Sequence, residues 1–129
     1  MIQATAAVII RDGKILITKE KSGICAKEKW GFPGGKVEPD ETMAQCVVRQ
    51  LALTLNLQVR IESFICASHY NDSYGDIELF AYQVSLLSQE PIPQEDADVT
   101  WVLPSEIPLL DFTEAYLPVC QRIMEDYHD

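Results

Sequence analysis

Residues 30–36 of this chain, Trp-Gly-Phe-Pro-Gly-Gly-Lys, crowd three glycines and a proline into seven positions directly ahead of a segment with a helical period. A stretch with so little side chain and so much backbone freedom marks main chain that must approach another group closely. The fold therefore has to be built around a tight passage and the helix it feeds. Pro39 and Asp40 give a start signal for that helix, with the Asp40 carboxylate able to accept from the free amides of the first turn. Over 42–55, Ala44, Val47, Val48, Leu51 and Leu55 fall on one stripe, which is the face expected on a sheet. Asn56 follows directly and suits a left-handed C-terminal cap.

The elements on either side are read from their periods. Residues 4–11 and 14–19 are β-rich runs separated by Asp12-Gly13, a dipeptide that favours a tight hairpin. Residues 21–29 show no period and read as a loop. Residues 58–68 and 77–84 are two further strands around an Asn71-to-Gly75 turn, and 99–103 is a shorter one. A single helical turn at 104–107 and a last helix over about 113–127 complete the chain, the latter tolerating Pro118 only in its first turn. Strands flank helices on both sides, so the class is α/β or α+β with a mixed sheet.

The bulk properties narrow the function classes. At 129 residues, 47% apolar and 23% charged, the expectation is one globular domain over 1–129. No apolar run approaches the ~20 residues that span a bilayer, so no membrane role is expected and the cytoplasm is the default location. A net charge of −10 argues against binding a nucleic-acid polymer. Seven of the ten basic residues nevertheless precede residue 37, either as an end that attracts phosphate or as a solvated lysine-rich loop. Cys25, Cys46, Cys66 and Cys120 have no C-x-x-C spacing and read as small hydrophobes. His69 has no Cys or His nearby and reads as a strand residue.

Gly35, five residues, Glu41, seven residues and Arg49, entered through Phe32-Pro33-Gly34-Gly35-Lys36-Val37-Glu38, resemble the opening of the Nudix box, G-x5-E-x7-R-E-U-x-E-E-x-G-U with U apolar. The resemblance covers nearly the whole chain and is greatest to small MutT-like and CTP pyrophosphohydrolase-like proteins. It implies an α/β/α sandwich with a mixed β-sheet between helices. It also implies a magnesium-dependent enzyme that cuts a nucleoside triphosphate to the monophosphate and pyrophosphate.

The second half of the box departs from that pattern. It reads Arg49-Gln50-Leu51-Ala52-Leu53-Thr54-Leu55-Asn56-Leu57, so Gln50, Leu53 and Thr54 occupy the positions where the family carries its metal-binding glutamates. Those positions, at i, i+3 and i+4, share one helical face. Mg²⁺ is a hard cation that is held by carboxylate oxygens, and of the three replacements only Gln50 offers a carbonyl. Cys46, Gln50, Leu53 and Leu57 read as a second apolar face, covered by the loop at 21–30 or by a partner subunit, the alternative being a Leu53 that is simply exposed.

The remaining candidates follow from the resemblance. Glu41 and Arg49 stand as a pair that is mainly structural in the family, with Glu95 as the loop glutamate credited with a metal or general-base role. Gly35, Glu38, Glu41 and Glu95 form the residual metal set, although Glu38 reads equally as a solvated turn carboxylate and Glu95 as part of an acidic loop. Gly34, Gly35 and Lys36 are the phosphate-side candidates, and Tyr116 either stacks on a base or packs on the sheet. Three functions are open: a degenerate Nudix domain that binds a nucleotide or a partner without cutting it, a weak hydrolase using Glu38, Glu41 and Glu95, or a subunit pairing with a second copy or an active paralogue.

Overall fold

The computed structural model describes residues 2–19, 29–72, 75–87 and 98–127. β1 (Ile2–Arg11) and β2 (Lys14–Lys19) form the expected hairpin, with Asp12 and Gly13 both at positive φ (53° and 76°) as a two-residue primed turn requires. A short β3 (Gly34–Lys36) leads to α1 (Met43–Leu55), which is followed by the long antiparallel pair β4 (Val59–Asp72) and β5 (Gly75–Leu86) and then by β6 (Asp98–Val102). Two 3-10 turns, Pro104–Leu109 and Glu114–Tyr116, precede α2 (Leu117–Asp126). Pro118 is the second residue of α2, where no backbone N–H is required.

The strands run in the order β4-β5-β1-β2-β6, with β3 also paired to β1. β1 and β5 are parallel and the other pairs antiparallel, so the sheet is mixed. Alternation along β1 divides the core. Ala4, Ala6 and Val8 face Val119, Cys120 and Ile123 of α2, while Ala7 and Ile9 face Val47, Leu51 and Leu55 of α1. One helix therefore covers each side of the sheet, which is the α/β/α arrangement expected.

Three expectations change. The helix starts at Met43, not at Asp40: Thr42 is its N-cap, accepting from the Gln45 amide at 3.1 Å while the Gln45 side chain accepts from the Thr42 amide at 2.9 Å. Asp40 instead occupies a left-handed turn (φ 64°), which swings Glu41 back toward the helix. Ala44 and Val48 are exposed, and Cys46 takes a place in the core, because the Gly-rich passage lies against the flank of α1 and buries it. The passage itself contains a strand. β3 pairs Gly34, Gly35 and Lys36 with Ala6, Thr5 and Ala4, a close approach that a side chain would block, since a Cβ on Gly34 (φ 150°) would lie 2.1 Å from the Thr5 carbonyl oxygen. His69 lies in β4, as its sequence context indicates. Cys46 and Cys120 are buried and Cys66 half-buried, all as free thiols, and Cys25 lies outside the described residues.

Candidate functional site

The site grows from the junction of β3, the turn at 37–41 and the first half of α1. Arg49, facing back from α1 over this turn, grips Glu41 with two donors, Nε to Oε2 at 2.5 Å and Nη2 to Oε1 at 3.0 Å. Nη2 also donates to the Lys36 carbonyl at 3.0 Å, and Nη1 lies 3.6 Å from Glu38. The Glu41 carboxylate accepts in addition from the Glu38 amide at 3.0 Å. One guanidinium thus ties β3, the turn and the helix together.

The Arg49 fork, followed by the Glu38 amide, holds the Glu41 carboxyl down at about 2, far below the ordinary carboxylate range, and Glu41 in turn raises Arg49. A depressed folded-state value gives stability that is complete above the unfolded carboxylate range and is lost as pH falls toward about 2. The melting temperatures of the natural chain and of Glu41→Gln are therefore expected to differ by a constant amount above about pH 5.5 and to converge between about pH 4.5 and pH 2. Thermal melts at a series of pH values check this, and a gap that persists unchanged at pH 2 would contradict it.

Beneath this pair lies a buried polar contact that the sequence does not announce. Thr5, on the α1 side of β1, sits 3.3 Å from the Cys46 sulfur and donates its hydroxyl to the Gly35 carbonyl at 3.4 Å. Cys46 Sγ also approaches the Gly35 and Lys36 carbonyls, at 3.5 and 3.4 Å, and burial pushes its thiol up. The one available signal was Thr5 itself, a polar residue inside an apolar run. Leu57 is fully buried beside Val59 and Leu55. Of the four residues expected on a second apolar face, Cys46 and Leu57 are thus core, because the chain on both sides of the helix wraps that flank.

Gln50, Leu53 and Thr54 each have a distinct environment. The Gln50 amide lies directly over Gly35, so that a Cβ there would meet Gln50 Cδ at 2.6 Å. Leu53 is 62% exposed. The Thr54 hydroxyl donates to the Gln50 carbonyl one turn back, at 2.7 Å. Asn56 takes the left-handed cap (φ 54°) at the position where the box carries glycine, and asparagine is the side chain that tolerates that conformation next best.

Gly34, Gly35 and Lys36 belong to this site through β3, whereas Tyr116 lies in the core on the α2 side of the sheet. Gly34 and Gly35 are half-buried in β3, and Lys36 is exposed at its end. Tyr116 is 3% exposed and packs edge-on to Phe32 with ring centroids 5.7 Å apart. Glu95, like the loop at 21–28, lies outside the described residues. Among the described residues no helix is long and apolar enough to cross a membrane.

Comparison with known proteins agrees with this architecture. The NUDIX domain model matches residues 1–123. The chain is 33% identical over 125 residues to the CTP pyrophosphohydrolase of Escherichia coli K12, covering 96% of this chain and 92% of that protein. It is 26% identical over 106 residues to the 8-oxo-dGTP diphosphatase of Buchnera aphidicola, covering 81% and 79% respectively. Among solved structures, the E. coli ORF135 protein superposes with a TM-score of 0.82 at 28% identity, covering 96% of this chain and 89% of that one. The hairpin, the Gly-rich strand, the Arg49–Glu41 clasp and the matched length together make this chain a member of the Nudix hydrolase family, of the MutT-like kind.

Proposed function

We propose that this protein is a nucleotide-binding member of its family that has given up metal-dependent hydrolysis. The observation that carries the reading is the donor set on α1. Mg²⁺ binding and water activation at a phosphoanhydride need carboxylate oxygens. Leu53 supplies no donor atom, the Thr54 hydroxyl proton is committed to the helix backbone, and the Gln50 amide is neutral and seated on Gly35. The nearby acids offer little in exchange. Glu41 is held on both oxygens by Arg49, and Glu38 stands 3.6 Å from the same guanidinium. These residues do not fit a magnesium ion.

The relatives' activities, CTP pyrophosphohydrolase and 8-oxo-dGTP diphosphatase, suggest the ligand class, a nucleoside triphosphate. Recognition then falls to hydrogen bonds and stacking, with the lysine-rich N-terminal third providing the positive charge. Calorimetry with a panel of nucleoside triphosphates, with and without Mg²⁺ or Mn²⁺, tests this. The expected result is a binding isotherm that a chelator leaves unchanged and no pyrophosphate release above the uncatalysed rate. Brisk turnover that the chelator abolishes would sink the reading, and so would the failure of every nucleotide to bind.

A further inference from the structure

A polar side chain is left without a partner at each end of the Gly-rich passage, on the α1 side of the sheet. At one end stands Thr18. Leu16 belongs to the cluster under α1, so Thr18, two residues further along β2, presents its side chain to the same side, where its backbone pairs with Gly31. Thr18 is 2% exposed, and its hydroxyl is the one buried side-chain oxygen or nitrogen among the described residues with no hydrogen-bond partner. At the other end the Gln50 carboxamide lies over Gly35, half-buried, and among the described residues it too has no partner. The backbone between them adds donors. The Ala7 amide donates to Pro33 and the Val37 amide to Gln3, so by the alternation of an antiparallel ladder Gly35 faces β1 while Gly34 and Lys36 turn their amides outward. The Lys36 carbonyl, met on that outer side by Arg49, agrees with this direction, and among the described residues no strand covers it.

We infer, on the footing that the protein binds a nucleotide, that this face of the passage, from Gln50 to Thr18, seats the polyphosphate chain and holds it with uncharged donors in place of a metal ion. A buried hydroxyl without a partner destabilises the fold, and a valine of nearly the same shape would not. Thr18 is kept at that cost because its partner is the ligand. The chemistry is one-sided: phosphate oxygens accept, and the Thr18 hydroxyl, the Gln50 NH2 and the two outward amides all donate. Lys36, exposed at the end of β3, adds a positive charge, whereas Glu38 and Glu41 are turned onto Arg49. The neutrality of Gln50, which disfavours a cation, is what direct contact with a phosphate requires, since a carboxylate in its place would repel the ligand.

Calorimetric titration in chelator, with inorganic tripolyphosphate and with a nucleoside triphosphate, tests this on the natural chain and on Thr18→Val, Gln50→Ala and Gln50→Glu. The natural chain should bind both ligands. Thr18→Val should melt higher than the natural chain, because the unpartnered hydroxyl is gone, and yet bind both ligands about tenfold more weakly, the loss of one hydrogen bond to a charged group. A residue with a structural role alone would not move stability and affinity in opposite directions. Gln50→Glu should bind more weakly than Gln50→Ala, since the carboxylate repels where alanine only withdraws a donor. Undiminished affinity in Thr18→Val or in Gln50→Glu overturns the inference, and nucleotide binding by the natural chain would then still stand. A natural chain that binds neither tripolyphosphate nor nucleotide overturns both.

Discussion

A variant carrying Gln50→Glu, Leu53→Glu and Thr54→Glu together is expected to bind Mn²⁺ on the order of a thousandfold more tightly than the natural chain. The three side chains lie at i, i+3 and i+4 of α1, with Gln50 over Gly35, and none is structurally indispensable. Leu53 is 62% exposed, glutamine and glutamate are nearly the same size, and the Thr54 hydroxyl serves only the helix it sits in. At ~2 kcal/mol per carboxylate the set amounts to ~6 kcal/mol, or roughly four orders of magnitude; solvent screening at the exposed position brings that down to about three.

The same variant has a second signature. Three carboxylates on one face repel one another without an ion, so its melting temperature should fall in chelator and recover on adding Mn²⁺. Titration of free Mn²⁺ by paramagnetic resonance, alongside melts with and without the ion, checks both. Equal Mn²⁺ affinity in the two proteins would mean either that the natural chain holds the ion through other groups or that β3 no longer presents a usable backbone. The natural chain's own affinity separates these outcomes.

Much of the frame could be read from residues whose local chemistry has one solution. Asp12-Gly13 could only be a tight turn, Asn56 could only end the helix, and Pro118 could only sit near the start of α2. The failures came where a distant partner outweighed local preference. Gly34 and Gly35 have poor strand propensity, yet they form the strand paired with β1, where a side chain on Gly34 would strike the Thr5 carbonyl and one on Gly35 the Gln50 amide. Asp40 has the chemistry of an N-cap, but Glu41 is drawn to Arg49, and the turn that delivers it moves the helix start to Thr42. Cys46 lies off the helical stripe and is buried by β3, a strand that periodicity does not show. The Nudix spacing identified Glu41 and Arg49, but their two-pronged bond and the contact of Thr5 with Cys46 are properties of the fold.

The largest loss of stability from a single side chain is expected at Phe32, inside the Gly-rich passage. Its ring is 1% exposed, stacked on Phe112 with centroids 5.4 Å apart and flanked by Tyr116. Its backbone neighbours are also engaged: Gly31 exchanges hydrogen bonds with Thr18, and the Pro33 carbonyl accepts from the Ala7 amide at 2.7 Å. Phe32 therefore pins the passage to the α2 side of the core while Gly34 and Gly35 continue toward α1. Phe32→Ala removes the buried ring and leaves a cavity among rings that cannot collapse onto it, at a cost of about 4 kcal/mol, part of it from the lost aromatic pairs. Against a total of ~5–15 kcal/mol this should lower the melting temperature by on the order of 15 °C. Urea titration should show the midpoint falling with an unchanged slope, and Phe32→Leu, which refills most of the volume, should recover more than half of the loss. A cost below about 1.5 kcal/mol for the alanine variant would mean that the passage is held by its backbone pairing alone, and the aromatic group would then have no part in positioning the site.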